Sequence, residues 1–235
     1  MEDKKYSNAK RAVTIVSLLT IFVAGIELLM AFSHYQPGMT ICDVASHVTR
    51  DNRIVYLLLL IIANIAFLPP VLLLYKENGI SLKNEIYDKK TLGKDIFYGV
   101  IAYVVAAFAG LISDIPELIP GIKATELACS QKEQGISVTA MEIIGLMLVS
   151  GIIKEIYFRG LAKSFCGPVF GETSALILFN FLFAILDWHN LGHSLIIGFV
   201  WIFSYKKTRH LITPMTCHIL SGAGVVIDGI IAQMK

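Results

Sequence analysis

Hydrophobic positions along the chain form long runs, separated by shorter polar stretches that hold most of the charges. Most runs approach the roughly 20 apolar residues that an α-helix needs to span the hydrocarbon core of a bilayer. The pattern predicts an all-α fold, a polytopic transmembrane bundle of about seven helices (six to eight). The sixth run is short, which indicates a tilted or partly re-entrant helix. The predicted runs cover residues 12–32, 54–75, 96–113, 138–158, 173–188, 193–205 and 211–234.

The composition supports a membrane protein over a soluble one. Of the 235 residues, 55% are hydrophobic and 16% are charged, whereas soluble domains carry roughly 25% charged residues. The net charge of +2 is too small to predict binding to nucleic acid. We therefore expect one integral membrane domain over residues 1–235, with the lipid bilayer as its partner. We expect the first run to be retained as a helix, because no small-residue cleavage site accompanies it.

The distribution of Lys and Arg predicts the orientation of the helices. Cytoplasmic loops of membrane proteins carry an excess of these residues, so the more basic set of segments is assigned to the inside. This places the N-terminus in the cytoplasm and makes the chain a multi-pass protein of the cell membrane. The basic residues on the inner side are then Lys4, Lys5, Lys10, Arg11, Lys76, Lys83, Lys89, Lys90, Lys94, Arg159, Lys163, Lys206, Lys207 and Arg209.

Two of the four cysteines, Cys42 and Cys129, lie in loops that this orientation places outside. An oxidising exterior permits a disulfide between them. Two free thiols are the simpler interpretation, because a sequence gives no distance between the two residues.

Charged residues within the apolar runs are the most informative positions. By insertion scales, each costs roughly 2.5–3.5 kcal/mol at the centre of a transmembrane helix, so such residues face the protein interior or mark a site. Glu155 and Arg159 are four residues apart and share one helix face, where they can pair. Lys154 is rotated by about 100° from Glu155. Asp187 ends the fifth run, and His218 lies in the seventh.

Three motifs that contain these residues resemble those of one membrane family. The run KEIYFRG, residues 154–160, resembles the Glu-Glu-x-x-x-Arg-Gly signature of the CPBP family of CAAX proteases and bacteriocin-processing proteins, also called Abi. FAILD, residues 183–187, resembles the family's Phe-x-x-x-His motif. TRHLITPMTCH, residues 208–218, resembles its last motif, in which a Pro precedes a His by four positions. The resemblance covers about residues 138–225.

The resemblance implies the chemistry of an intramembrane peptidase. In the family, the first Glu and the middle His activate a water molecule, and the last His and an Asn four residues later stabilise the oxyanion; a metal-dependent alternative has also been considered. These roles agree with general base catalysis by a carboxylate and with oxyanion stabilisation by neutral donors. The candidate catalytic residues that this chain retains are Glu155, Arg159 and His218.

The chain departs from the family at three motif positions. Lys154 replaces the first Glu, Asp187 replaces the middle His, and Gly222 replaces the Asn. A lysine ammonium has no lone pair with which to take a proton. A buried Lys154–Asp187 ion pair would compensate for both changes. Alternatively, Lys154 extends to the inner face while Asp187 lies among the outer headgroups.

Three functions from different classes follow from these observations. The departures favour a catalytically degenerate homologue that binds a membrane protein or peptide partner. The retained residues permit an active CAAX-type endopeptidase that processes a prenylated or leader peptide, using Glu155 and His218, with or without His189. A small transporter or bacteriocin immunity protein has no positive feature in the sequence. No cofactor is expected. His189, His193 and Asp187 have a spacing compatible with metal binding, but satisfied interfacial histidines are the simpler interpretation.

Overall fold

The computed structural model of the protein describes residues 2–39, 44, 47–113, 136–188 and 191–233. Within these ranges the regular structure is helical, without strands, which confirms the predicted all-α class. The α-helices are α1 (Glu2–His34), α2 (Arg53–Glu77), α3 (Leu82–Ile86), α4 (Leu92–Ser113), α5 (Ile136–Glu142), α6 (Gly167–Phe170), α7 (Glu172–Leu186), α8 (Leu191–Thr208) and α9 (Ile212–Gln233). The π-helical stretches are His47–Asp51, Ile143–Lys154, Ile156–Gly160 and Ala162–Cys166.

Three of the described helices are long and apolar enough to cross a membrane: α1, α2 and α4 over Leu92–Gly110. They coincide with the first three predicted runs. Their outward faces carry large apolar side chains such as Leu29 and Phe108, which are 72% and 67% exposed. An extensive exposed apolar surface is stable in lipid and unstable in water. Helices α7 and α9 contain shorter apolar stretches, and α8, with 18 residues, is longer than the predicted sixth run.

The fourth predicted run does not form a uniform α-helix. After α5 the chain remains helical, but most of residues 143–166 wind as π-helix. We call these residues the π segment. π-helical turns, with i→i+5 hydrogen bonds, are rare, are usually confined to one turn, and are frequent at functional sites. All the charged residues of the KEIYFRG motif lie in this segment.

Helix α9 packs unusually close to the π segment. A Cβ atom added to Gly222 would lie 3.0 Å from the carbonyl oxygen of Leu146, and one added to Gly151 would lie 2.6 Å from Ile219 Cγ1. Small residues at such crossings let helix backbones approach each other in membranes. This contact brings the last motif, on α9, against the first motif, on the π segment.

Helix α2 continues through Pro69 and Pro70 without a break. Prolines inside a helix free the carbonyls of the preceding turn, and neighbouring helices are expected to provide donors there. The Tyr157 hydroxyl of the π segment donates a hydrogen bond to the carbonyl of Asn64, one residue before the freed carbonyls. The π segment is therefore fixed to α2 on one side and to α9 on the other.

Candidate functional site

The structure brings the three retained motif residues together in the protein interior. The Glu155 carboxylate is fully buried, and its Oε1 atom lies 2.9 Å from Nδ1 of His218. The same oxygen accepts a hydrogen bond of 3.4 Å from Nη1 of Arg159. Glu155 and Arg159 come from the π segment and His218 from α9. The two motifs that contain these residues therefore meet in the structure. A catalytic role for the three residues remains a prediction.

Arg159 is held by aromatic rings as well as by polar groups. Its guanidinium carbon lies 4.8 Å from the ring centroid of Phe183 and 5.2 Å from that of Trp201. Its Nη2 atom donates to Oδ1 of Asn180 at 3.3 Å. Stacking on aromatic rings stabilises a guanidinium, and more so when the group is desolvated. With Arg159 only 1% exposed, these contacts replace the water that the cation has lost.

His218 is enclosed by the same aromatic rings. The imidazole lies 4.3 Å from the ring centroid of Trp201 and meets Phe183 edge-on at 6.0 Å. Its side chain is 12% exposed. Among the residues that the structure describes, Oε2 of Glu155 has no hydrogen-bond partner. The site thus pairs a buried carboxylate with an imidazole and leaves one carboxylate oxygen available.

Lys154 lies beside this cluster rather than at the membrane surface. The residue is 8% exposed, and its ammonium lies 6.0 Å from the ring centroid of Phe183. Three acidic residues, Asp187, Glu27 and Glu155, interact electrostatically with the ammonium. Asp187 in turn accepts a hydrogen bond from the Ser194 hydroxyl. An electrostatic interaction therefore links two of the departed motif positions.

Sequence reasoning missed Glu27, a carboxylate of α1 with no exposed surface. It interacts electrostatically with Lys154 and with Tyr56 of α2. The signal was present, because a single acid within a long apolar run is costly and marks the protein interior. Glu27 extends the charged cluster to a helix that none of the three motifs includes.

The side-chain amide of Asn180, on α7, uses both of its polar atoms in hydrogen bonds. While Oδ1 accepts from Arg159, Nδ2 donates to the carbonyl of Leu195 at 3.0 Å. The amide packs directly against Gly198 of α8, where an added Cβ would overlap it. Asn180 therefore joins the charged cluster to α8, a role that depends on a neighbour that the sequence does not identify.

Two further acidic positions form ion pairs at opposite ends of the bundle. Glu142 is 1% exposed and accepts hydrogen bonds from Arg53 at 2.7 and 2.9 Å. At the other end, Glu172 binds the partly exposed Arg209. The hydrogen bonds that the Arg209 guanidinium donates to the Glu172 carboxylate raise the pKa of the guanidinium above its ordinary value.

Cys42, Cys129 and His189 lie outside the described residues, so the disulfide and the His189 alternative remain predictions. Cys166 and Cys217 are buried free thiols. The described part of the chain contains no group of three or more His, Cys, Asp or Glu residues that could hold a metal ion.

Comparison with known proteins agrees with the motif assignment. Residues 136–223 match the family model of the type II CAAX prenyl endopeptidases, described as Rce1-like. Neither curated proteins nor solved structures gave a match. The matched region contains the π segment, α7, α8 and the first half of α9, and so includes all six motif positions discussed above. Residues 136–223 are thus similar to the CAAX prenyl endopeptidases, and three of the described helices are long and apolar enough to cross a membrane.

Proposed function

We propose that this protein is a catalytically degenerate CAAX-protease-like protein that binds a peptide or membrane-protein partner without cleaving it. The observation that carries the proposal is the buried Lys154 at the position where the family has its first Glu. General base catalysis requires a group that can take a proton from water. A protonated lysine cannot do so, and it places a positive charge where the family has a carboxylate.

The surroundings of Gly222 give independent support. In the family this position holds an Asn that donates a hydrogen bond to the oxyanion. Here the position faces the backbone of Leu146 and Met147, at 3.0 and 3.2 Å from an added Cβ. A Cβ atom at residue 222 would require α9 and the π segment to shift by a few tenths of an ångström. The chain therefore combines the loss of the donor with a close helix contact that a side chain at this position would disturb.

The proposal is tested with purified protein in nanodiscs and a fluorescent, prenylated CAAX-type peptide. We expect saturable binding, measured by fluorescence anisotropy, and no release of the C-terminal tripeptide, measured by mass spectrometry. An active relative under the same conditions verifies that the peptide is cleavable, and the unprenylated peptide measures non-specific binding. A leader peptide tested in parallel covers the other substrate class. The proposal would be contradicted if neither peptide bound saturably. It would also be contradicted if the protein cleaved either peptide.

An active glutamate-dependent endopeptidase is the second candidate. The observation that favours it is the buried Glu155–His218 contact with one carboxylate oxygen left available. In this alternative, Oε2 of Glu155 takes a proton from water as the water oxygen attacks the scissile carbonyl. The resulting carboxyl group then gives that proton to the leaving amine as the C–N bond breaks. His218 orients the carboxylate and the water.

The Glu155→Gln variant separates the two candidates, because it keeps the shape of the side chain. Peptide cleavage by the wild-type protein that disappears in Glu155→Gln, with binding and thermal stability retained, would establish the peptidase. Under our proposal neither protein cleaves the peptide. Glu85→Gln is a matched control, since Glu85 pairs with Lys163 outside the buried cluster.

A further inference from the structure

A groove of about 430 Å³ lies along the N-terminal part of α1, where α1 packs beside α6. Its α1 residues recur at intervals of three and four positions, so they occupy one face of the helix. Two of the lining aromatic rings, Tyr6 and Phe170, are 62% and 51% exposed. The groove is lined by Tyr6, Ser7, Lys10, Val13, Thr14 and Phe170.

The polar residues of the groove are placed at the level of the lipid headgroups. Lys10 lies two residues before the first predicted apolar run, which begins at Ala12, while Val13 and Thr14 lie within that run. Lysines at helix ends reach the headgroup region, and exposed aromatic residues are frequent at this depth. The groove therefore extends from the interface toward the hydrocarbon region.

Lys10 differs in its partners from two other basic residues, Arg11 and Lys206. Arg11 pairs with Glu77, and Lys206 donates to the Thr173 hydroxyl at 2.8 Å. Within the described ranges, Lys10 makes neither a hydrogen bond nor an ion pair, and it is exposed. An ammonium at the rim of an apolar groove attracts a negatively charged ligand whose remainder is apolar.

We propose that this groove binds an anionic phospholipid. One acyl chain lies along Val13 between the rings of Tyr6 and Phe170, and the phosphate contacts the Lys10 ammonium and the Ser7 hydroxyl. The bilayer supplies this ligand at high local concentration. A zwitterionic lipid fits the apolar part equally well but adds a cationic group near Lys10, so the site selects for net negative charge. This site is separate from the proposed peptide-binding function and does not depend on it.

The test is lipid retention, measured by native mass spectrometry, after the purified protein is mixed with equimolar phosphatidylglycerol and phosphatidylcholine of identical chains. We expect the wild-type protein to retain phosphatidylglycerol preferentially. Lys10→Gln should reduce that preference about fivefold, the factor that corresponds to one lysine near an anionic surface. Val13→Trp, which fills the groove, should reduce retention of both lipids.

Two controls make the result specific. Lys5→Gln removes a charge about 140° around the same helix, and Lys207→Gln removes an exposed charge from α8; both should retain the wild-type preference. Phe170→Ala removes one wall of the groove and serves in place of Val13→Trp if that variant unfolds. If all three lysine variants lost the preference for phosphatidylglycerol equally, that preference would reflect general surface charge and not this site. If Val13→Trp and Phe170→Ala both retained the lipids as the wild-type protein does, the proposed site would be wrong.

Discussion

Two arginine–glutamate pairs in this protein differ in distance and in burial, and we expect the shorter, more exposed pair to cost less stability when it is broken. Arg159 and Glu155 are 3.4 Å apart, with side chains that are 1% and 0% exposed. Arg209 and Glu172 are 2.5 Å apart, with side chains that are 51% and 26% exposed. The longer pair lies in a medium where charges interact strongly, and the shorter one is screened by water and salt.

The two pairs also differ in the surroundings of the carboxylate that is left when its arginine is removed. Loss of Arg159 leaves the Glu155 carboxylate in the interior, where water cannot replace the missing cation. Loss of Arg209 leaves Glu172 at an edge that is accessible to solvent. Buried pairs are therefore expensive to break, although their net contribution relative to an apolar pair is small.

The largest expected effect comes from Arg159→Met, which keeps side-chain volume but removes the charge. We expect the free energy of unfolding to fall by about 3–5 kcal/mol, because an unpaired carboxylate is left buried. Arg159→Lys should not restore stability, since lysine cannot stack on Phe183 and bond Asn180 as the guanidinium does. The measurement is denaturant-induced unfolding in one detergent. If Arg159→Met lost no more free energy of unfolding than Arg209→Met, the expected difference between the buried and the exposed pair would be wrong.

A double-mutant cycle measures whether Lys154 and Asp187, which lie on different elements, stabilise each other. Each single change, Lys154→Met or Asp187→Leu, should destabilise the protein because it unbalances buried charge. The double variant should recover part of the loss, with a coupling of about 0.5–3 kcal/mol. Lys154→Glu with Asp187→His, which recreates the family's residues, should also be tolerated.

The matched control for this cycle is Lys154→Met with Glu172→Gln, because Glu172 is bound to Arg209 at the edge. That combination should be additive. Additive effects in the Lys154–Asp187 cycle as well would show that the two departures from the motif are unrelated.

The smallest effect is expected at the exposed pair. Arg209→Met should lower the free energy of unfolding by at most about 1 kcal/mol, the upper range for exposed ion pairs. Raising the salt concentration should reduce the difference between the wild-type protein and this variant. The same titration on Arg159→Met should change its larger deficit much less. A deficit at Arg209 that salt does not alter would indicate that backbone geometry matters there, since Arg209 has a φ of 70°.

The part of the site that residue spacing alone predicted consists of residues that are close together in the sequence. Glu155 and Arg159 are separated by four positions, so their pairing follows from helical geometry. The family resemblance added His218, which lies 63 positions from Glu155 and which no local pattern could place. Glu27 belongs to none of the motifs, and its position beside Lys154 depends on how α1 packs.

The sequence alone determined the helical class, the three long apolar helices and the motif residues, because long apolar runs and i,i+4 spacing are properties of consecutive positions. Tertiary structure decided which helices meet. The approach of α9 to the π segment depends on the missing side chain of Gly222 facing the Leu146 backbone. The bond from Tyr157 to Asn64 likewise links residues that are 93 positions apart. Such contacts arise from close packing of surfaces, and packing depends on the shapes of both partners, which a single stretch of sequence does not contain.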